Sequence, residues 1–349
     1  MSLISLLKKK NQISLFTTPS HGGKLCILHK FYQWYRSDIS EVDAYEPEQA
    51  LKEAEAKASR IYKTKSTHFL TNGSTSGIIA SILACVNKGD KILLWSNSHL
   101  CHKNGAKLAG AEIVEYQLPY NEEWGIYEAI STQDVEKLLK EISPKAIVIT
   151  SPSYEGIVCD IKSISEICKK YNVYLIVDEA HGALYPFSED LPQSAISYAD
   201  FTVQSLHKTA GGINPTALLH SNCDLDINSA LKLITTTSPS YPMLATIEAN
   251  INYLNSVKGK NSIKNLLAVI TEMKSEIKNL QFYGDDLTKI LVKHLSLSGE
   301  EFSALLYDKF RIEDERANEK SVMLLTGLGT TKEKLARLKF ALKKIDKSI

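Results

Sequence analysis

Between about residue 67 and residue 220, short β-branched apolar runs alternate with longer stretches whose apolar residues recur at helical spacing. HFLTNG (68–73), KILLWS (91–96), EIVEY (112–116), AIVIT (146–150), YLIVDEA (174–180), FTVQSL (201–206) and ALLH (217–220) read as strands. SGIIASILACVNKG, TQDVEKLLKEI and IKSISEICKKYN between them read as helices. Strands alternating with helices predict right-handed crossovers and a mostly parallel, seven-stranded sheet covered on both faces. This α/β domain is assigned to residues 46–245. Beyond it, ATIEANINYLNSV predicts a long helix, and SVMLLTGLG followed by TTKEKLARLKFALKKI predicts a strand, a turn and a final helix capped by Thr330 or Thr331. Residues 246–349 are therefore expected to form a small α+β domain, and residues 1–45 an arm.

Composition narrows the function classes. The 41 basic and 40 acidic residues nearly cancel, which leaves no footprint for a nucleic-acid or membrane surface. No apolar window approaches the length of a membrane span. In MSLISLLKKKNQ the apolar residues precede the lysines, the reverse of a secretory leader. None of the six cysteines forms a CxxC pair or a zinc-spaced cluster, so no metal site is expected and the thiols are read as reduced, in a cytoplasmic protein.

Ligands of open α/β sheets bind at the carboxyl ends of the strands, and three such ends carry unusual residues. In TNGSTSG, Gly73, Ser74, Thr75, Ser76 and Gly77 form a hydroxyl-rich turn at a helix start, where free N–H groups and the helix dipole suit a phosphate. No GK[ST] follows, so the turn is not a nucleotide P-loop. In LIVDEAHG a buried strand ends in Asp178, a placement that is costly unless the carboxylate meets a cation or donors. The letters DEAH also occur in helicases, but the phosphate loop a helicase needs upstream is missing. In SLHKTAGG, Lys208 follows Asp178 by 30 residues, one strand–helix–strand step. A phosphate cradle, a buried aspartate and a lysine at nearby strand ends match the needs of pyridoxal phosphate: the lysine holds the aldehyde as a Schiff base, and the aspartate keeps the pyridine nitrogen protonated.

With these residues in view, the chain resembles the ornithine/lysine/arginine decarboxylases among the fold-type-I pyridoxal-phosphate enzymes. TTPSHGG (17–23), SDISEVDAYEP, NGSTSG, LCHKN (100–104), SYEGIVCDI, DEAHG, SLHKT and TTTSPSYPMLATIEA are similar to segments of that family. The resemblance implies that Lys208 carries the Schiff base and that Asp178 meets the pyridine nitrogen. It implies that His102 stacks on the ring, with His99 a competing candidate, and that Ala180 lies against the other face. Ser74, Thr75, Ser205 and His207 would hold the phosphate, and Ser238 would reach it from a partner subunit, implying a homodimer with shared active sites. His181 would stand near the imine, sharing acid duty with Lys208. The chain has no room for the extra N-terminal domain and longer C-terminal portion of full-length bacterial members.

The expected activity is decarboxylation of an amino acid, basic by family expectation, with Asp38, Glu41, Asp43 and Glu155 as candidate partners for its distal charge. Two alternatives stand beside it. One is another reaction on the same cofactor, transamination or side-chain lysis, in which Arg311 or Arg316 would clamp the substrate carboxylate. The other is a non-catalytic pyridoxal-phosphate-binding protein.

Overall fold

The computed structural model of the chain describes residues 14–18, 36 and 47–347. In order, the elements are β1 (Ser14–Phe16), α1 (Pro47–Tyr62), β2 (Ser66–Leu70), α2 (Ser74–Cys85), β3 (Lys91–Trp95), α3 (Leu100–Ala109) and β4 (Glu112–Tyr116). A short ribbon, β5 (Tyr120–Asn121) and β6 (Ile126–Tyr127), precedes α4 (Thr132–Ile142), β7 (Ala146–Thr150), α5 (Ile161–Tyr171), β8 (Tyr174–Asp178), β9 (Phe201–Ser205) and β10 (Ala217–Ser221). Three helices follow: α6 (Ile227–Ile234), α7 (Tyr241–Asn255) and α8 (Val257–Ser275). The chain closes with β11 (Gln281–Tyr283), β12 (Lys289–Lys293), α9 (Gly299–Phe310), β13 (Ile312–Asp314), β14 (Arg316–Ala317), β15 (Val322–Leu325) and α10 (Lys332–Asp346).

The expected seven-stranded sheet is present, in the order β2-β10-β9-β8-β7-β3-β4. All neighbours from β9 to β4 run parallel, while β10 is antiparallel to both β9 and β2. The β9–β10 connection contains no helix, and without a crossover the chain can only return antiparallel. Alternate residues feed opposite faces: Leu175 and Val177 join one apolar cluster, Ile176 the other. Apolar cores on both faces explain why these strands read as nearly continuous apolar runs.

One strand boundary differs from expectation, and the structure decides between two expected caps. The first strand ends at Leu70 rather than residue 73, because Gly73 adopts φ +84 and turns the chain into α2. A Cβ at Gly77 would fall 2.8 Å from Leu70 Cδ1 and Val203 Cγ1, so only glycine lets α2 lie this close to the sheet and bring its N-terminus over the strand ends. At the last helix Thr331 is the cap, accepting from the Lys334 N–H at 3.3 Å, while Thr330 accepts from Gly327 N.

A second, antiparallel sheet has the order β11-β12-β15-β14. A domain division at residue 245 cuts through α7, whose Leu244, Ile247, Ile251 and Leu254 share a cluster with Leu206 and Leu218 of the large sheet. The helix therefore packs with the sheet that precedes it. The described part of the arm, β1, pairs parallel with β13 and buries Phe16 among Phe302, Ile312 and Leu338 of the C-terminal core. Phe16→Ala is expected to cost about 3–5 kcal/mol in urea unfolding; a loss below about 1 kcal/mol would mean that the arm does not support that core.

Candidate active site

A cavity of about 830 Å³ opens at the carboxyl ends of the large sheet, its lining drawn from the turns after β2, β3, β7, β8 and β9 and from Arg316 and Asn318 of the smaller sheet. Lys208, Asp178, Ala180, His181, His207, Ser74, Thr75 and His99 all face it. The three strand ends singled out in the sequence thus meet at one place.

Lys208 follows β9 in a turn tied to the sheet by the Leu206 N–H bond to Thr216 O (3.0 Å). Its Nζ lies 3.1 Å from His181 Nε2 and 5.6 Å from the centre of the Tyr154 ring, which packs on the His181 ring at 4.6 Å. Burial, aided by the charge of Lys289, lowers the Lys208 pKa despite the opposing charges of Asp178 and Glu315. Burial and the charges of Lys208 and Lys289 also hold His181 well below its ordinary value. A neutral imidazole therefore faces an amine that gives up its proton more readily than a surface lysine.

Asp178 ends β8. Its Oδ2 accepts from His102 Nε2 at 2.9 Å and its Oδ1 from the Ala180 N–H at 3.1 Å. Burial alone would raise its pKa, but the His102 hydrogen bond and charge, the Lys208 charge and the Ala180 N–H outweigh it, and the net shift is downward. The side chain is a carboxylate held in the cavity wall.

His102, expected to stack on the ring, is placed differently from the other candidates. It is fully buried, bonded to Asp178 and outside the cavity lining. His99, the competing candidate, caps α3 through its Nδ1, which accepts from Cys101 N at 3.3 Å, and it does line the cavity. His99 is the N-cap, with extended rather than helical backbone, and stands at the cavity end of α3, whereas His102 lies within the helix and is buried. Burial lowers the His99 pKa as well.

At the other end, the N-cap Gly73 provides no side-chain cap and the first turn of α2 holds no acidic residue. Its amides, with Ser74 and Thr75 beside them, form an uncompensated positive pole. Ser76 is corrected: its hydroxyl donates to Asn72 Oδ1 (2.7 Å) and Gly73 O (2.8 Å), so it braces the turn. Ser205 is fully buried and outside the lining, and its Oγ finds no hydrogen-bond partner among the described residues. His207 lines the cavity, with Nδ1 3.1 Å from Thr216 O. Ser238 is exposed and away from this cavity, between α6 and α7.

Of the candidate carboxylates, Glu155 lines the cavity and pairs with Arg316 at 3.4 Å; Asp38, Glu41 and Asp43 lie outside the described residues. Arg316 is a wall residue, whereas Arg311 is the left-handed C-cap of α9 and does not line the cavity. The sequence reading passed over two groups. Cys101, His102 and Asp178 place ligand atoms within 4.8 Å of one another, but burial pushes the Cys101 thiol up to about 12, and the His102–Asp178 hydrogen bond already joins the other two. The second is the buried Lys289–Asp286 pair, whose ammonium donates to the His181 carbonyl at 3.2 Å. Its trace in the sequence, GDDLTK ahead of an apolar run, reads as an ordinary polar turn.

The arrangement fits pyridoxal phosphate: a positive helix pole for a phosphate, an amine of lowered pKa for an aldehyde, and a buried carboxylate for a protonated ring nitrogen. Residues 9–293 match the family model described as Orn/Lys/Arg decarboxylase, major domain. The chain is 27% identical over 322 residues to an arginine decarboxylase of Bacillus anthracis, covering 86% of this chain and 65% of that protein. Among solved structures it resembles the Francisella novicida lysine decarboxylase (TM-score 0.75, 20% identity), covering 85% of this chain and 50% of that one. It also resembles a ureidoglycine-glyoxylate aminotransferase of Bacillus subtilis (TM-score 0.72, 13% identity), covering 95% and 92% respectively. At these identities the structures speak for the fold.

The Asp178–His102 pair has a testable pH signature. The folded-state pKa of Asp178 is depressed, so its contribution to stability is full above the ordinary carboxylate range and is lost as pH falls through the folded value. In His102→Leu burial would dominate and the sign would invert, with a charged Asp178 destabilising at neutral pH and the penalty fading as the carboxyl takes a proton. Urea unfolding should show the variant about 3–5 kcal/mol less stable at neutral pH, with the gap narrowing towards about pH 5. A gap independent of pH would uncouple the two residues.

Proposed function

The chain belongs to the Orn/Lys/Arg decarboxylase family, and from that premise we propose that it is a pyridoxal-phosphate-dependent decarboxylase of a basic amino acid, with the fold-type-I architecture of its relatives. The observation that carries the reading is the meeting of Lys208, Asp178 and the bare α2 N-terminus around one cavity. The chain spans about 65% of the length of the Bacillus anthracis relative, so the activity of the whole protein is part of this proposal.

When bound, pyridoxal phosphate supplies an aldehyde for the Lys208 amine and a ring that takes up the electron pair left when a bond at the substrate α-carbon breaks. Asp178 would hold the ring nitrogen's proton, and His102 helps keep that carboxylate ionised. Ser74, Thr75, the α2 amides and His207 would hold the phosphate; Ala180 would leave room against the ring, and His99 would cover it from the other side. Lys208 Nζ and His181 Nε2, 3.1 Å apart, can pass a proton between them, so the acid that protonates the product carbon is drawn from this pair. Glu155 receives the distal charge of the substrate. We assign the working protein to the cytoplasm as a homodimer, in which Ser238 serves the partner's cavity rather than its own. Among the described residues no helix is long and apolar enough to cross a membrane.

Arg316 on the cavity wall favours a second reading, transamination, because a guanidinium there could clamp a substrate carboxylate. A panel of amino acids followed for CO₂ release and, separately, for amino-group exchange decides between the two. Release of CO₂ from lysine, ornithine or arginine is expected, and exchange without release would favour the second. Lys208→Ala should lose turnover and the absorbance of the lysine-bound cofactor; retained turnover would overturn both readings. His99→Ala should weaken cofactor binding about tenfold, consistent with the loss of about 1.4 kcal/mol of ring contact.

A further inference from the structure

The Lys289–Asp286 pair is a fully buried pair of charges joining the two sheets, and every strong hydrogen-bonding position on it is used. Lys289 Nζ, at the start of β12, donates to Asp286 Oδ2 (2.8 Å), Thr288 Oγ1 (3.0 Å) and the His181 carbonyl (3.2 Å). Asp286 also accepts from Tyr185 Oη (2.9 Å) and from the Thr288 N–H and hydroxyl (2.8 and 2.7 Å). Two of these partners, His181 and Tyr185, belong to the segment that follows β8. On the other side, the Lys289 stem packs under Gly156, where φ is +93 and an added Cβ would fall 2.9 Å from Lys289 Cγ and 3.2 Å from Asp286 Cβ. Gly156 closes the turn that presents Tyr154 and Glu155 to the cavity. Lys289 therefore touches the backbone of both segments whose side chains surround the Lys208 amine.

A buried pair of this kind is weak evidence for stability, because two desolvated charges often do no better than apolar residues. Its geometry suggests a task. We propose that Lys289 is a positioning residue for the Lys208 amine: by holding the His181 carbonyl and supporting the Gly156 turn, it sets the His181 and Tyr154 rings against that amine and keeps a positive charge behind it. The groups that act on Lys208 come from several elements: Asp178 at the end of β8, Cys101 on α3, Glu315 between β13 and β14, His181, and Lys289 itself. Lys289 opposes Asp178 and Glu315 among them, so its loss should leave Lys208 more basic. The inference rests on the proposed lysine-anchored cofactor for one readout only.

The test uses the full chain, wild type, as Lys289→Met and as the double variant Lys289→Met with Asp286→Asn, which buries no unpaired charge if the single variant fails to fold. The first readout needs no cofactor: competitive acetylation of Lys208 by acetic anhydride across pH, with the modified peptide quantified by mass spectrometry. The midpoint should rise by about one pH unit in the variants. The second is titration with pyridoxal phosphate, located on Lys208 by borohydride reduction, with affinity expected to fall about tenfold. A folded double variant with unchanged midpoint and affinity would make Lys289 a structural brace only and overturn the inference. A wild-type chain that places no cofactor on Lys208 would sink the proposed function, while a midpoint shift in the same samples would still support the positioning role.

Discussion

An ionised carboxylate at the buried end of a central strand must be compensated, and the site is organised by how this one is. Asp178 ends β8 in the middle of the sheet, where little of it reaches water and an unpaired charge would take up a proton instead. The compensation comes from three places: His102 on α3, the Ala180 N–H just beyond the strand, and the positive charge of Lys208 after β9. Each holds part of the geometry. His102 ties α3 to the end of β8, and His99, the N-cap of that helix, lines the cavity. The Ala180 amide bends the chain away from β8 and leaves His181 facing Lys208. The carboxylate charge in turn limits how far burial can lower the Lys208 pKa.

The same logic recurs a few residues away. Glu179, next to Asp178, points to the opposite side, where burial raises its pKa to about 7 even though Ser194, the Ala195 N–H and Gln204 all donate to it. Adjacent carboxyls at the end of one strand thus titrate apart because only one of them meets a partner able to carry positive charge and a lysine across the cavity. The Lys289–Asp286 pair completes the pattern on the smaller sheet, bringing a lysine close to a segment already crowded with ionisable groups. The two parts are joined by polar chemistry at the site and by apolar packing elsewhere, as where Trp124, Ile126 and Ile157 meet Leu291, Met323 and Leu325 of the smaller sheet.

Much of this was legible in the sequence, for reasons that differ from residue to residue. The seven strands were legible because an apolar run that feeds cores on both faces has few other solutions, and the 30-residue step from Asp178 to Lys208 placed both at neighbouring strand ends. Gly73 and the hydroxyls after it marked a helix start with free amides. Strand ends and caps were blurred: the first strand stops at Leu70 because a glycine turn intervenes, and Thr331 rather than Thr330 caps the last helix. The likeness of LCHKN to a family segment drew attention to His102, although it is the N-cap His99 that lines the cavity.

By itself, then, the chain determined its local elements and the kinds of chemistry available at three strand ends, because periodicity and turn residues act over a few positions. Tertiary structure alone decided which of those side chains share a cavity. It buried His102 against Asp178, turned the Ser76 hydroxyl onto Asn72, enclosed Ser205, and set Lys289 beneath the His181 carbonyl 108 residues away in the chain. Such choices depend on desolvation and on contacts between distant segments, and no local pattern encodes either.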